Sequence, residues 1–276
     1  MTNASTTKFL DVPAGKIAYD DHGKGQPPVV LIHEAIADRR MWDREFSRLS
    51  KTHRVVRYDM RGFGESPPTT GPFSAIDDLS SVILQLGLER PVIVGASMGG
   101  RVALDFQVAH PGVARGLLLV APGFTGMDFP MFPPGVFDVD EKASRAASDA
   151  FKAGKVEEAI DHLVGLWGAA QKGKDLERFR EMARKNANEI FLETSSQQER
   201  PVEPKAATRL STLDVPLRVL VGDRDNPAMP HVARYLAEHV PRARWTLVPG
   251  ADHMLNVSQP GAFAKELDDF LAELSK

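Results

Sequence analysis

The chain has 276 residues and a mass of 30.2 kDa, enough for one large α/β domain or a domain carrying an insertion. With 42% apolar and 26% charged residues and a formal net charge of −3, it has the balance of a globular protein and lacks the basic character that a nucleic-acid partner would require. It contains no cysteine, which excludes disulfides, thiolate metal sites and a cysteine nucleophile.

Residues 1–8 lack the apolar core of a secretory signal, and a cytoplasmic location is expected. The longest apolar runs, such as Val29-Val30-Leu31-Ile32 and Leu117-Leu118-Leu119-Val120, are too short to span a bilayer, so no membrane partner is expected. Strands are expected at residues 8–12, 16–19, 29–32, 54–58, 91–94, 116–120, 218–221 and 245–248. The first two should pair antiparallel around Pro13-Ala14-Gly15, and the later runs are continuously apolar, as in strands buried on both faces. Helices are expected at residues 42–50, 74–86, 98–109, 232–239 and 261–274. Strand and helix alternate, which predicts an α/β fold: a mostly parallel eight-stranded sheet with helices on both faces.

The rhythm breaks after Ala121-Pro122-Gly123. Residues 124–138 are dense in Phe, Met, Pro and Gly, and three helix-like segments follow. Val156, Ile160, Leu163, Val164 and Trp167 recur at helical spacing, and Leu176, Phe179, Met182 and Ile190 partly do so. Strand-like sequence resumes near Val215-Pro216-Leu217. Residues 122–210 therefore read as a helical insertion after the sixth strand, placed as a cap, with residues 1–121 and 211–276 forming the core domain.

Gly95-Ala96-Ser97-Met98-Gly99 lies between the fifth strand and the helix after it. A G-x-S-x-G in that context describes a nucleophile elbow, where a sharp turn exposes one serine at the carboxyl edge of a sheet. The plainer reading of Ser97, a simple turn serine, is outweighed by the strand before and the helix after. A serine hydroxyl is a poor nucleophile unless a base takes its proton, so a histidine and an acid orienting it must come near. Two late segments supply them: Val221-Gly222-Asp223-Arg224-Asp225 ends a strand in acids, and Pro249-Gly250-Ala251-Asp252-His253 follows the last strand.

These motifs, with Leu31-Ile32-His33 and Arg57-Tyr58-Asp59-Met60-Arg61-Gly62-Phe63-Gly64-Glu65-Ser66, resemble the α/β-hydrolase fold family, in the branch with a helical cap after the sixth strand. The resemblance covers nearly the whole chain apart from the cap, and it implies Ser97 as nucleophile, His253 as general base and Asp225 as the acid, with Asp223 as the rival for that role. It implies backbone N–H groups of Met98 and Ala35 as the oxyanion hole, and His33 as a support for that loop. Here the sequence departs from the family, because Glu34 stands where a glycine is usual. Its side chain either points away, so that only its backbone matters, or lines the pocket and contributes to substrate choice; the first is preferred. The segment 59–66 reads as a bracing turn and not a phosphate loop, since no G-x-x-x-x-G-K-S/T occurs. Asp77-Asp78 reads as a helix N-terminal pair stabilised by the dipole.

No metal and no cofactor are expected, because the histidines are dispersed and no H-E-x-x-H occurs. Phe129, Phe132 and Trp167 are candidate pocket residues in the cap, along with Glu34 from the core; packing of the cap on itself is the plainer reading of the aromatic ones. Arg101, beside the elbow, leaves room for one substrate carboxylate. The stretch from Asp38 to Asp43, followed by Val56 to Gly62, resembles the enol-lactonase and carboxylesterase branch, and is similar to hydrolases that cleave carbon–carbon bonds of ring-breakdown products. Cofactor-free haloperoxidases and perhydrolases share the triad, and some members of the fold are ligand receptors. Hydrolysis of a small carboxylic ester or lactone is the first choice, with a rate that falls in acid as a histidine of ordinary pKa, about 6.5, takes up its proton.

Overall fold

The computed structural model describes residues 7–127, 131–193 and 195–275. Eight strands form one sheet: β1 (Lys8–Val12), β2 (Gly15–His22), β3 (Val29–Ile32), β4 (Val55–Tyr58), β5 (Val92–Ala96), β6 (Gly116–Val120), β7 (Leu217–Gly222) and β8 (Ala243–Val248). Their order is β1-β2-β4-β3-β5-β6-β7-β8, with β2 antiparallel to both neighbours and the remaining pairs parallel. Every residue of β3, β4, β5 and β6 is buried. Because successive side chains point to opposite faces, this means that helices cover the sheet on both sides.

β2 runs three residues further than its apolar sequence predicts, through Asp20, Asp21 and His22. Aspartate is disfavoured in strands, but arginines from neighbouring segments neutralise both. Asp20 accepts from Arg57 Nε at 2.9 Å and Arg39 Nε at 3.1 Å, while Asp21 takes both arms of Arg54 at 2.8 and 3.0 Å.

The core helices are α1 (Asp43–Leu49), α2 (Ala75–Gln85), α3 (Met98–Ala109), α8 (Met229–His239), α9 (Leu255–Ser258) and α10 (Pro260–Leu274). Ser74 caps α2, accepting the Asp77 N–H at 3.2 Å. Asp78, expected only to favour the helix dipole, is instead buried and held by Arg61 Nε and Nη2 at 2.8 Å each. Arg61 also donates to the Ala14 carbonyl at 2.7 Å, and Asp59 accepts the N–H groups of Arg39 and Glu65 at 2.7 and 2.8 Å. The 59–66 segment thus braces the β1–β2 turn, the segment after β3 and the start of α2 against one another.

Between β6 and β7 the chain inserts α4 (Asp138–Lys152), α5 (Val156–Trp167), α6 (Gly173–Lys185) and α7 (Ala187–Leu192). The three expected segments are four helices, because the third breaks at Asn186. That side chain accepts from the Gly64 N–H at 2.8 Å and donates to the Ala37 carbonyl at 3.1 Å, fixing the break against two core loops. The ends of the insertion meet where Thr125 binds Asp105 of α3 at 2.7 Å and accepts the Ala206 N–H at 2.8 Å. No helix among the described residues is long and apolar enough to cross a membrane.

Candidate active site

β5 delivers the chain to Ser97 at φ 46° and ψ −108°. A non-glycine residue holds positive φ only when its surroundings enforce it. Here the Ser97 N–H donates to Val120 O at 2.8 Å, and the Ser97 carbonyl accepts the Arg101 N–H at 2.9 Å. A Cβ on Gly99 would lie 2.5 and 2.6 Å from the carbonyl oxygens of Ile32 and His33, so the first turn of α3 must be bare to pass over β3.

The loop after β3 is set by His33, which is fully buried. Its Nδ1 lies 2.7 Å from the Glu34 carbonyl, and its Nε2 accepts the Met60 N–H at 2.9 Å. Nε2 is therefore the unprotonated nitrogen and Nδ1–H the donor; burial pushes the His33 pKa down, in keeping with a neutral ring. The Glu34 carbonyl accepts a second bond from Ala37 N–H at 3.3 Å. In a trans peptide the C=O and the following N–H point in opposite directions. Fixing the Glu34 carbonyl therefore fixes the Ala35 N–H on the other side. Among the described residues, neither the Ala35 nor the Met98 N–H has an acceptor within the protein.

The loops after β7 and β8 are laced together. Arg224 N–H donates to Ala251 O at 2.9 Å, and Gly250 N–H donates to Asp223 Oδ1 at 2.6 Å. Asp223 is exposed and serves this lacing, whereas the fully buried Asp225 carboxylate accepts from His253 Nδ1 at 2.9 and 3.1 Å. Of the two candidate acids, Asp225 is the one bonded to His253. The proton on Nδ1 leaves Nε2 free for exchange. Among the described residues, the Ser97 hydroxyl and the imidazole are not joined by a hydrogen bond.

Glu34 does not point away. Its Oε2 lies 3.9 Å from His253 Nε2, and both oxygens are buried without a hydrogen-bond partner within the protein. The preferred expectation for this residue is therefore wrong: Glu34 is 1% exposed, and its side chain turns toward the imidazole. Burial pushes Glu34 up to about 8, with Asp252 and Asp225 adding to the effect and His253 opposing it. For His253, burial alone would lower the pKa, but the charge and hydrogen bond of Asp225, with Glu34 and Asp140, raise it to about 9. Asp140 in α4 carried no motif in the sequence, and Asp252 entered the reading only as the neighbour of His253 in the 249–253 segment.

Trp167 stands beside the imidazole, with ring centroids 4.3 Å apart. Phe132 does not join it: its ring packs on Phe137 and Tyr235 at 5.5 and 5.7 Å, fastening the segment after β6 to α8. Phe129 lies outside the described residues. Arg101 is not free for a substrate carboxylate, because its guanidinium binds Glu199 at 2.9 and 3.1 Å and lies 3.7 Å from Asp105. Among the described residues, no group of three or more His, Asp or Glu is arranged to hold a metal ion.

Residues 29–266 match the Alpha/beta hydrolase family. The chain belongs to that family. This hydrolase is 24% identical over 288 residues to the 2-hydroxy-6-oxononadienedioate/2-hydroxy-6-oxononatrienedioate hydrolase of Paraburkholderia phymatum, covering 99% of this chain and 98% of that one. It is 25% identical over 257 residues to the pimeloyl-(acyl-carrier protein) methyl ester esterase of Yersinia enterocolitica, covering 90% and 94%. The solved structure of a malate-bound thermophilic esterase from Thermogutta terrifontis is similar at a TM-score of 0.80 and 25% identity, over 98% of this chain and 100% of that one.

Proposed function

We propose that this hydrolase cleaves a small carboxylic ester or lactone in the cytoplasm through a serine acyl-enzyme, without a cofactor, and that residues 122–210 act as a cap over the core formed by residues 1–121 and 211–276. The observation that carries the reading is the Asp225–His253 pair. Asp225 fixes the tautomer that leaves Nε2 available, at the same sheet edge as a Ser97 held in a strained turn.

In the first step Ser97 Oγ attacks the carbonyl carbon while His253 Nε2 takes the hydroxyl proton. The tetrahedral oxyanion accepts the N–H groups of Ala35 and Met98, each of which typically contributes about 3–4 kcal/mol to the transition state. His253 then passes its proton to the departing alkoxide, leaving Ser97 acylated. Water, deprotonated by His253, attacks the acyl carbon, and Ser97 leaves with the proton restored. The hydrogen bond between Ser97 and His253 forms when substrate docks, as is common where the empty site is loose. The relative named as a methyl ester esterase and the esterase structure support ester chemistry. The dioate and malate associated with the other proteins are dicarboxylates, and that chemistry is not carried across, because the groups around His253 are acidic.

Steady-state hydrolysis of short and medium esters and lactones by wild type and Ser97→Ala tests the reading. Turnover that vanishes in Ser97→Ala, with the melting temperature retained, is expected. Absence of turnover on every member by folded wild type, or full activity in Ser97→Ala, contradicts it.

A further inference from the structure

Four carboxyl groups gather around one imidazole at the sheet edge. Asp225 is accounted for by its bond to Nδ1. Glu34 is not: it is 1% exposed, its Oε2 lies 3.9 Å from Nε2, beyond hydrogen-bond reach, and neither oxygen has a hydrogen-bond partner within the protein. Asp252 accepts the Ala170 N–H at 3.1 Å through one oxygen and leaves the other unpartnered. Asp140, brought in by α4 of the cap, also buries an unpartnered oxygen. The charges acting on Glu34 are those of His253, Asp252 and Asp225, and those acting on Asp140 are His253 and Asp225. No arginine or lysine is among them, and Arg101 is held by Glu199 and Asp105.

A buried polar group left unpaired is unfavourable and calls for a reason. Beside a reaction centre, that reason is a donor carried by the ligand. On the hydrolase reading above, we propose that Glu34 is the specificity-determining residue of this site and that the substrate is an ester whose alcohol part bears an ammonium group a few bonds from the scissile linkage, with carboxylate-bearing esters rejected. The ammonium N–H supplies the partner that Glu34 lacks, and its charge offsets the excess of acids. The Trp167 ring beside His253 adds an aromatic wall, which attracts cations through its face. A carboxylate in the same place would meet Glu34, with the charges of Asp252 and Asp225 acting there too and no cation but the imidazolium, and like-charge juxtaposition is how sites exclude wrong partners. Glu34, pushed up to about 8 in the empty site, ionises as the ammonium binds.

Three butanoate esters with alcohol parts of matched size separate the outcomes: 2-(dimethylammonio)ethyl, 3-methylbutyl and 2-carboxyethyl. The wild type is expected to show kcat/KM for the ammonium ester about tenfold above the neutral one and at least about tenfold above the carboxylate one. Glu34→Gln, or Glu34→Ala if the first variant does not fold, lowers the ammonium-to-carboxylate ratio about tenfold. That ratio does not move when a variant is merely damaged. A wild type that prefers the carboxylate ester, or a ratio unchanged by either variant, overturns the proposal. If the wild type hydrolyses none of the three, the hydrolase reading fails by itself, and melting temperature with each ester decides the inference. Stabilisation by the ammonium ester above the others supports it, and any other order, or no stabilisation, overturns it.

Discussion

Glu34 and His253 share a buried space in which neither titrates at its ordinary value. His253 is held up at about 9 because Asp225, Glu34 and Asp140 outweigh the effect of burial. On the proposed mechanism, only the neutral imidazole can accept the Ser97 proton. The logarithm of kcat/KM is therefore expected to climb with pH up to about 9, not to level off near the 6.5 of an isolated histidine. Glu34→Gln removes one of the negative neighbours and should move this limb to lower pH; a wild-type profile with its midpoint at the ordinary histidine value contradicts the geometry. Stability follows the same protons. The Glu34 carboxyl has an ordinary pKa of 4.5 and rises to about 8 on folding, so across that window the native state holds a proton that the unfolded chain has released. Native stability accordingly falls as pH rises from the first value to the second. Glu45, buried and raised to about 7, acts in the same direction. The raised His253 does too, giving stability that is present below 6.5 and lost as pH passes about 9. Glu34→Gln should melt above wild type by a margin that widens across the Glu34 window, on the order of 1–3 kcal/mol at its alkaline end. Melting curves of both proteins over a pH series check this, and parallel curves contradict it.

At the scale of elements, the elbow depends on how closely α3 passes over β3. Gly99→Ala places a methyl group within 2.6 Å of two backbone carbonyl oxygens, and backbone cannot yield as a flexible side chain can. The variant is expected to lose at least about 2 kcal/mol of stability together with its turnover, and an unchanged melt would show that the elbow is looser than drawn. This element was readable beforehand because its signal is local: glycines at fixed offsets, an apolar run before and a helical run after. β3 and β6 likewise have the bounds their apolar runs predict. The second half of β2 was hidden, because aspartates are disfavoured in a strand until Arg39, Arg54 and Arg57 arrive from distant segments. The break between α6 and α7 was hidden for the same reason, since it depends on what the Asn186 side chain meets in the core.

Across the whole molecule, the insertion is attached by contacts that reach the loop after β3 and the 59–66 turn at once. Asn186 is buried and bonded to both. Asn186→Ala leaves the Gly64 N–H and the Ala37 carbonyl without those partners, which should cost about 1–3 kcal/mol. It should also raise proteolytic cleavage within the insertion before the core melts; cleavage equal to wild type would mean that the attachment rests elsewhere. The exposed ion pairs of the insertion, such as Arg44–Asp175 and Arg184–Glu157, contribute little by comparison. The candidate site divides along the same line. Ser97, Asp225 and His253 lie in motifs that a sequence carries on its face. The orientation of Glu34, the approach of Asp140 from α4 and the engagement of Arg101 by Glu199 exist only once distant segments meet. The aromatic residues of the insertion were ambiguous for that reason, and Trp167 stands by His253 while Phe132 packs against Tyr235 of α8.

On the proposed mechanism, Ser97 carries the acyl group. Intact-mass and peptide-mass measurement after exposure to a phosphonate electrophile or a slowly hydrolysed aryl ester tests it most directly. One adduct per chain, on the peptide containing Ser97 and absent from Ser97→Ala, is the expected result. An adduct on another peptide, or none from folded protein that turns the ester over, would contradict it.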